Sequence, residues 1–347
     1  MNKLNIKNYC EFSLKEWDEI VSLFDGTIYH TSWFFEYMTI YHKDKLIENH
    51  SFSISDDTKI VALVPAFVEK IDNSWQISMG EETIASALYD SNLKQKEIVS
   101  IFKLLTTHID SIAQEKSCTL SRFNISPLLT VTKNSNINFY KLFGYTEQIL
   151  RPSWYIFKCD LAYVINLGVS IDELYSRIRR RYKSFINKTL KGAQYIVLDK
   201  NNLTKEIFSK YINFYYSIKG KRRSLEAFDK DYEAIKNGLE VIFICESNEK
   251  YIGAIAIHKY NKMARYNSAL TVDMDNLYPN HSLVWKSIEY LKDNNYKYYE
   301  IGEQVIENGI YEVSKKEKDL SFFKAGWGGD LYPWVKAQKE YNFNDIK

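Results

Sequence analysis

Hydrophobic residues follow two different periods along this chain. Over residues 93–115 they recur every three to four positions, which predicts one long helix with an apolar face. A shorter helix is predicted near the N-terminus, because Ser13 and Glu16 have the spacing of a capping box and Trp17 begins an apolar stripe. The apolar run at 60–68 predicts a buried strand. Helical and extended patterns alternate in this way along the whole chain, which is typical of a mixed α/β protein.

The two halves of the chain have a similar succession of predicted elements. In the first half, helices are expected at 14–24, 32–41 and 93–115, and strands at 52–54, 60–68, 75–77, 119–125 and 155–161. In the second half, helices are expected at 171–191, 203–218, 229–237 and 282–294, and strands at 195–198, 241–245, 252–260, 265–272, 297–301 and 331–335. In each half a crossover helix separates two groups of strands, which predicts one mixed sheet per half.

Two segments about 183 residues apart are similar to each other. Residues 138–145 are NFYKLFGY and residues 321–328 are SFFKAGWG, so each has an aromatic pair, a lysine, a glycine and a further aromatic residue. Each predicts a short helix that ends at its glycine. The long spacing indicates two copies of one domain, at 1–163 and 164–347, rather than a solenoid. The alternative is coincidence, since the chain contains 27 Tyr and 19 Phe.

Composition restricts the class of protein. Of the 347 residues, 45% are hydrophobic and 26% are charged, as in ordinary globular proteins. No apolar stretch approaches the roughly 20 residues of a membrane span, and no signal peptide is visible. Four scattered cysteines without a C-x-x-C pair predict reduced thiols and no metal site, so we expect a cytoplasmic protein. The net charge of +2 excludes bulk attraction to nucleic acid but not a local basic site.

Several segments of the chain resemble a known superfamily. They are YHTSW at 29–33, INKTLKG at 186–192, LYPNHSLVW at 277–285 with YEIG at 299–302, and LSFFKAGWGG at 320–329. In these segments and in its order of elements, the chain resembles the tandem GNAT proteins of the FemABX branch, the peptidoglycan-bridge aminoacyltransferases. The resemblance implies two tandem GNAT-like α/β domains packed together, and an acyltransferase activity. It also implies acyl-CoA as a co-substrate, with no tightly bound cofactor.

The chain also departs from the pattern of ordinary GNAT enzymes. Their glycine-rich turn offers backbone N–H groups to the pyrophosphate of coenzyme A, whereas the loop at 273–280 has no glycine and two carboxylates. This difference implies a modified donor site. His30 and Thr31 stand where FemABX relatives commonly have a glutamine, and Tyr37 stands where some have a lysine. These differences weaken the case for a UDP-muramyl-peptide acceptor.

Acyl transfer to an amine requires a base and a group that stabilises the oxyanion, and four side chains are candidates for such roles. Glu300 ends a predicted strand where the resemblance implies an acid before glycine, and Glu303 follows it. Asp273 ends the preceding predicted strand and is expected to face the same cleft. His281 begins a predicted helix, where it either caps the helix or orients an acyl acceptor. For each carboxylate the alternative is a solvated loop residue.

Basic and aromatic side chains are the candidate ligand contacts. Lys324 follows the second aromatic pair, where the resemblance implies a cation for a phosphate or the oxyanion; the alternative is a surface lysine lying over aromatic rings. The basic helix at 171–191 and the basic loop at 219–223 are either phosphate sites or solvated surfaces. The candidate substrate-binding residues are Lys324, Arg181, Lys188, Arg222, Arg223, Tyr266, Asn267, Tyr299 and Trp33.

Three functions are compatible with these features. The first is an N-acyltransferase that moves an acyl group from acyl-CoA to the amine of a small anionic acceptor, such as a nucleotide-linked amino sugar for lipopolysaccharide or O-antigen biosynthesis. The second is aminoacyl-tRNA-dependent transfer to a peptidoglycan precursor, which predicts a continuous basic surface and strong salt dependence. The third is a GNAT-like protein that binds a ligand without catalysis. We expect small-molecule partners, a monomer or homodimer, and nucleic acid only in the second case.

Overall fold

The segment after residue 332 returns to the first of two units into which the chain divides. The structure is a computed structural model, and it describes residues 3–80, 82–130, 156–272, 274, 276–305 and 313–342. Unit 1 comprises Met1–Asp160 and Pro333–Lys347, and unit 2 comprises Leu161–Tyr332. The sequence-based division differs from these bounds at the C-terminal segment, which pairs with a strand of unit 1. The predicted aromatic-pair helix at 138–145 lies outside the described residues.

The described residues form helices and strands close to most of the predicted positions. The helices are α1 (Leu14–Leu23), α2 (Ser32–Tyr41), α3 (Gln95–Glu115), α4 (Pro127–Thr130), α5 (Ile171–Arg177), α6 (Arg180–Gly192), α7 (Lys205–Lys219), α8 (Leu225–Lys236), α9 (Pro279–Asp293) and α10 (Lys315–Ala325). The strands are β1 (Asn5–Asn8), β2 (Glu48–Asn49), β3 (Phe52–Ser55), β4 (Ile60–Val64), β5 (Phe67–Ile71), β6 (Ser74–Ile77), β7 (Ile84–Ala85), β8 (Leu88–Tyr89), β9 (Cys118–Ile125), β10 (Ile156–Asn166), β11 (Gln194–Leu198), β12 (Glu240–Ser247), β13 (Lys250–Tyr260), β14 (Met263–Thr271), β15 (Tyr298–Gln304) and β16 (Asp330–Glu340).

Unit 1 has two sheets. One has the order β1-β3-β4-β8, and in the other β16, β9, β6, β5 and β2 follow one another. Helix α1 begins as predicted, because Ser13 and Glu16 form a capping box in which each side chain accepts the other's backbone N–H. The strand predicted at 60–68 is instead the two strands β4 and β5, because Pro65 between them has no N–H for the ladder.

Parallel pairing in unit 1 continues along most of β9. Strand β6 pairs with its first part, beginning with Trp75 opposite Cys118. Strand β7 pairs with its second part, where Ile84 is opposite Phe123. The amide of Asn124 holds β7 in place, because its Nδ2 donates to the Ile84 carbonyl at 3.2 Å. One edge of β9 is therefore occupied by strands of its own unit.

Unit 2 has one mixed sheet, as predicted, in the order β11-β12-β13-β14-β15-β10. The first four strands are antiparallel to their neighbours, and α7 and α8 connect β11 to β12. Helix α9 then crosses over to β15, which is parallel to β14 and antiparallel to β10. Such a crossover helix is what joins parallel neighbours in a sheet.

Side chains of this sheet alternate between two cores. Val241, Ile257 and Tyr299 pack in a core with residues of α5, α6 and α9. Ile242 and Ala256 pack in a second core with residues of α7 and α8. Successive side chains of a strand point to opposite faces, so this alternation assigns a face to each position in the sheet. We name the two sides the α9 face and the α8 face.

The basic helix predicted at 171–191 is two helices, α5 and α6. The break occurs at Ile178, whose backbone is extended, with φ −67° and ψ 139°. Ile178 is buried in the core of the α9 face, and the Arg179 N–H donates to the Gly326 carbonyl at 2.9 Å. Tertiary contacts therefore interrupt a segment whose local pattern is continuously helical.

Candidate active site

The parallel strands of unit 2 separate after three residue pairs. Strands β14 and β15 pair from Met263 opposite Tyr298 to Arg265 opposite Glu300. Beyond Arg265, β14 continues to Thr271, and no described strand pairs with this edge. The open edge is about 20 Å long, since a strand rises about 3.3 Å per residue. The strands thus form a slot, closed at Arg265 and Glu300 and open toward Thr271.

A β-bulge in β14 accompanies the slot. Ile257 of β13 is opposite Tyr266 and Ala256 is opposite Ser268, which leaves Asn267 as an extra residue. An extra residue bends its strand and increases the local twist. The bulge begins directly after the last pair with β15, and we attribute the separation of the strands to this bend.

Glu300 lies at the closed end of the slot and is 1% exposed. Arg265 Nε lies 3.1 Å from Glu300 Oε1, but neither carboxylate oxygen accepts a well-aligned hydrogen bond from the described residues. Burial raises the pKa of Glu300; Arg265 and Lys324 lower it, and Glu303 raises it. The strand-end carboxylate predicted from the sequence is therefore a buried group rather than one open to solvent.

Lys324 lies against β15 between two carboxylates. It is in the last turn of α10, and its Nζ is 3.0 Å from the position that a Cβ on Gly302 would occupy. Glycine at this point therefore makes room for the lysine. Burial lowers the pKa of Lys324, and so does Arg265, whereas Glu303 and Glu300 act to raise it. Glu303 is half-buried near the end of β15, so a ligand reaches it more easily than Glu300.

A pocket of about 660 Å³ adjoins the open end of the slot. It is lined by the end of β14, the following loop, the start of α9 and Phe323 of α10. Two of its polar atoms, Thr271 Oγ1 and Asn280 Oδ1, are buried and have no hydrogen-bond partner among the described residues. Its described lining contains no Asp, Glu, Lys or Arg side chain. These properties suit an uncharged group with hydrogen-bonding atoms.

His281 lines this pocket and is surrounded by aromatic rings. Its ring centroid lies 4.5 Å from that of Tyr182, 5.0 Å from that of Phe185 and 5.2 Å from that of Phe323. Burial lowers the pKa of His281 to about 4, so the imidazole is neutral at pH 7. Its side chain makes no N-cap hydrogen bond, because the N-cap residue of α9 is Tyr278. His281 therefore presents an uncharged ring to a ligand.

Arg181 and Lys188, two predicted phosphate ligands, lie at the rim of the pocket. Both are exposed on α6. The guanidinium carbon of Arg181 is 5.1 Å from the ring of Phe185, which stacks at 3.8 Å on Tyr278 of the pocket lining. Lys188 Nζ donates to Asn276 Oδ1 at 2.7 Å, in the loop before α9. The structure thus places each of these two cations beside the pocket, whose described lining is uncharged.

Arg222 and Arg223, predicted together, lie in different surroundings. Arg222 is exposed in the loop between α7 and α8. Arg223 is 7% exposed and lies 2.5 Å from Asp231 Oδ1, in a buried ion pair. Contrary to the prediction, Arg223 is a structural residue, because its charge is already paired inside unit 2.

The remaining candidates are dispersed. Tyr299 is fully buried in the core of the α9 face, and Trp33 is buried in α2 of unit 1; both are core residues, contrary to the prediction. Tyr266 is partly buried against the same core as Tyr299. Asn267 is exposed at the bulge. Asp273 lies outside the described residues.

Three side chains of the site were not predicted: Arg265, Thr271 and Asn280. Arg265 begins a predicted strand, and a charged residue in such a strand is a signal of a buried partner. That its partner is Glu300 depends on the parallel pairing, which the sequence alone does not reveal. Thr271 and Asn280 stand out only through their buried oxygen atoms.

Comparison with known proteins establishes the fold. No protein-family profile and no curated protein matches the sequence. Among solved structures, FemX is similar at 12% sequence identity and a TM-score of 0.71, over 97% of this chain and 98% of that one. A tandem GNAT protein from the clavulanic acid biosynthesis pathway is similar at 9% identity and a TM-score of 0.54, over 97% and 98% of the two chains. The chain has a tandem GNAT fold.

A third similar structure is L-PGS from Bacillus licheniformis, at 10% identity and a TM-score of 0.51, over 88% of this chain and 91% of that one. The tandem GNAT fold and the FemABX-like resemblance expected from the sequence are thereby confirmed.

Within the described ranges, no helix has the length and apolarity to cross a membrane, and no group of three or more potential metal ligands occurs.

Proposed function

We propose that this protein is an acyltransferase that moves an acyl group from a thioester to the amine of a small acceptor. The observation that carries the proposal is the slot between β14 and β15. Its closed end holds Glu300 and Arg265, with Lys324 and Glu303 beside them, and its open end meets the pocket. The tandem GNAT fold supports the same class of reaction.

The open edge of β14 favours a linear donor that contains amide groups. The backbone N–H and C=O groups of an unpaired edge accept an added extended chain, as in β-strand addition. The pantetheine arm of coenzyme A is extended and carries two amides. The slot, about 20 Å long at 3.3 Å per residue, lets such an arm run from the pocket to Glu303. We therefore propose acyl-CoA as the donor.

The donor phosphates require cations, because the start of α9 offers few N–H groups. Pro279 has no N–H, and the N–H groups of His281 and Ser282 donate to the Tyr278 carbonyl. In the first turn, this leaves the N–H of Asn280. Helix N-termini ordinarily bind anions through several such groups. We propose that Arg181 and Lys188 at the pocket rim replace them.

Glu303, the more accessible carboxylate, is the proposed base. The amine nitrogen attacks the thioester carbon while Glu303 accepts a proton from it. The ammonium of Lys324 stabilises the oxyanion that forms. The C–S bond then breaks, and the leaving thiolate takes up the proton that Glu303 accepted, which returns Glu303 to its carboxylate form. Burial and the charge of Arg265 lower the pKa of Lys324, and the neighbouring carboxylates Glu303 and Glu300 act in the opposite direction, in favour of the ammonium form.

The acceptor is proposed to approach from the α8 face. Arg265 and Glu300 alternate with Ala264 and Tyr299, which pack on the α9 face, so the first two project on the α8 face. The pocket lies beside α9, so donor and acceptor enter from opposite sides. Arg222 is exposed in the loop that leads to α8, where it suits an anionic acceptor such as a nucleotide-linked amino sugar.

A thermal-shift experiment tests the donor. A ligand at about 100 times its Kd stabilises a protein by about 2.7 kcal/mol, which is several degrees for a domain of this size. We expect acetyl-CoA to raise the Tm, and thiol release to follow when UDP-linked amino sugars are added. No shift with millimolar acetyl-CoA contradicts the proposed donor.

A pair of variants separates the donor site from general effects of charge. We expect Arg181→Gln and Lys188→Gln to weaken acetyl-CoA binding, because both side chains lie at the pocket rim. Lys191→Gln is the matched control, since Lys191 is exposed farther along the same helix. Equal loss of binding in all three variants indicates a non-specific charge effect instead.

An aminoacyl-tRNA donor is the alternative, and one observation favours it. Pro279 and the glycine-free loop make the start of α9 a weak pyrophosphate site. This alternative predicts that binding of charged tRNA falls steeply with salt concentration, whereas acetyl-CoA produces no shift. If the protein binds a ligand without catalysis, we expect instead that Glu303→Gln leaves the rate of thiol release unchanged.

A further inference from the structure

A row of polar side chains crosses the α8 face of the sheet in unit 2. Glu240, His258, Arg265 and Glu300 are opposite one another on the four neighbouring strands from β12 to β15. Opposite residues of neighbouring strands project on the same face. Glu240 and His258 are 1% and 3% exposed, so no ligand touches them. The row ends at the closed end of the slot, so the buried side chains of Glu240 and His258 can act there only through neighbouring residues.

His258 is a neutral imidazole. Burial, followed by the charges of Arg265 and Arg223, lowers the pKa of His258 to about 3. A neutral imidazole has one ring nitrogen that donates a hydrogen bond and one that accepts. Protonation would add a positive charge near Arg265 and Arg223, so the neutral form, which keeps an accepting nitrogen, is favoured even beside Glu240.

That accepting nitrogen fixes the side chain of Asn267. Asn267 Nδ2 lies 3.2 Å from His258 Nε2, and a neutral His258 accepts this hydrogen bond when its proton is on Nδ1. Asn267 is the extra residue of the bulge, and a bulge of this kind re-aims a side chain. With Nδ2 engaged, Asn267 Oδ1 points away from His258, and it accepts no hydrogen bond within the described part of the chain.

Asn267 lies beside the path that we propose for the acceptor. It is exposed on the open edge of β14, two residues beyond Arg265 and so about 7 Å farther along the slot at 3.3 Å per residue. Its hydrogen bond to His258 places it on the α8 face, the side from which the acceptor is proposed to enter. An amide oxygen at that point offers an acceptor atom and no charge.

We propose that His258 is a positioning residue that holds the amide oxygen of Asn267 toward the acceptor, so that Asn267 selects a group that donates a hydrogen bond. An amine or a hydroxyl satisfies this oxygen, whereas a carboxylate or a phosphate is repelled by it. The identity of the molecule as an acyl acceptor rests on the proposed function, but the orientation of the amide does not.

Nitrogen-15 NMR of the histidine rings tests the orientation without any substrate. We expect His258 to show an unprotonated Nε2 and a protonated Nδ1, unchanged between pH 5 and pH 8. Asn267→Ala should shift the Nε2 signal of His258 and leave that of His281, a half-buried histidine of the pocket, unchanged. A protonated Nε2, or a His258 that titrates near pH 6.5, overturns the proposal.

Two simple sugars test the selection, with glucosamine as a donor of hydrogen bonds and glucuronate as a carboxylate. We expect glucosamine to shift the side-chain amide signals of Asn267 and glucuronate to shift them less. His258→Phe removes the accepting nitrogen and should abolish this preference, whereas His258→Gln, whose amide oxygen accepts the same hydrogen bond, should restore it. A stronger response to glucuronate, a response to neither sugar, or an unchanged preference in His258→Phe contradicts the proposal.

Kinetics distinguish this inference from the proposed function. If the protein transfers acyl groups to amines, Asn267→Ala should raise the KM for the acceptor about tenfold, the effect of one lost hydrogen bond, with the KM for acetyl-CoA unchanged. Asn213→Ala, an exposed asparagine on α7, is the control. Turnover with an unchanged acceptor KM in Asn267→Ala refutes the inference alone. The NMR result stands even if no acyl transfer is found.

Discussion

The two units contain the same pair of parallel strands and differ in what occupies the space beside it. In unit 1, β6 and then β7 pair with β9, so this edge of β9 is filled by strands of its own unit. In unit 2, β14 and β15 pair over three residues only, and among the described residues the edge of β14 beyond Arg265 is open. Among the described residues, a slot between parallel strands is therefore a property of unit 2.

The two units also differ in the last residue pair of these parallel strands, β6 with β9 in unit 1 and β14 with β15 in unit 2. In unit 1 this pair is Ile77 opposite Ser121, an apolar and a hydroxyl side chain, both fully buried. In unit 2 it is Arg265 opposite Glu300. The two units therefore share a pair of parallel strands but differ beside it. In unit 1 the short strand β7 continues the pairing with β9, whereas in unit 2 ionisable side chains lie where the pairing ends. This difference is the reason that we propose unit 2 as the place of the donor and the base.

Removing the proposed base should give the largest difference between the units. We expect Glu303→Gln to lower kcat by about 10²- to 10⁴-fold, the usual contribution of general base catalysis. The matched control is Glu69→Gln in unit 1, a buried carboxylate that accepts hydrogen bonds from Ser78 and the Gly80 N–H. Thiol release from acetyl-CoA measures both. Similar losses in the two variants would end the assignment of catalysis to unit 2.

Glycine replacements should affect stability in both units but activity in one. Gly302 has φ +115° and Gly80 has φ +65°, and an added Cβ would lie 3.0 Å from Lys324 Nζ and 2.4 Å from His42 Nε2, respectively. We expect Gly302→Ala and Gly80→Ala each to cost about 1–3 kcal/mol in the free energy of unfolding. Urea denaturation measures this cost. Because only Gly302→Ala displaces Lys324, a loss of thiol release in Gly80→Ala as well would contradict the comparison.

The pH dependence of stability should have opposite signs at two glutamates. The pKa of Glu300 is raised by burial, so the stability it contributes is full below the pKa of an unfolded glutamate and is lost as pH rises through the folded pKa. Glu300→Gln should therefore gain Tm relative to the wild type as pH rises. The pKa of Glu48 in unit 1 is lowered by its hydrogen bond from Lys116.

Glu48 accordingly contributes stability above the pKa of an unfolded glutamate, and this stability is lost as pH falls. Glu48→Gln should lose Tm relative to the wild type as pH rises, by a small amount because its side chain is 42% exposed. Thermal unfolding between pH 4 and pH 9 measures both variants. The same sign for both would show that Glu300 is not held in a desolvated position.

The smallest expected effect concerns the hydroxyl groups of two threonines, one in each unit. Thr271 Oγ1 lines the pocket of unit 2 and has no partner among the described residues, so Thr271→Val should raise the free energy of unfolding by about 1 kcal/mol and weaken donor binding. Thr106 in unit 1 donates to the Phe102 carbonyl, so Thr106→Val should lower it by about 1 kcal/mol. Destabilisation by Thr271→Val would indicate that this oxygen is not reserved for a ligand.

Local patterns in the sequence were sufficient for most elements. Helix α2 has the predicted bounds, and the capping box of α1 is formed as expected. Both depend on residues within a few positions of one another. The break at Ile178 was not predicted, because it depends on contacts with the segment around Gly326, more than one hundred residues away.

The site was predicted less completely, for similar reasons. Glu300 followed from its place before Gly302, but its burial and its partner Arg265 follow from the pairing of β14 with β15. Arg223 was predicted wrongly because its partner Asp231 lies within α8, and the turn into this helix, which brings the two side chains together, is not evident from the sequence. Tyr299 was predicted wrongly because it is next to Glu300 in a strand covered on both faces, and adjacent residues of a strand point to opposite faces.

The return of β16 to unit 1 has a consequence for biosynthesis. Val335–Glu340 complete the sheet of unit 1 beside β9, which is made some two hundred residues earlier. At about 5–20 residues per second, the ribosome needs roughly 10–40 s to bridge this interval. Unit 2 is one continuous stretch and emerges whole during that time. The second unit to be translated is therefore the first for which every strand has been made, while one edge of β9 in the nascent first unit has yet to receive β16.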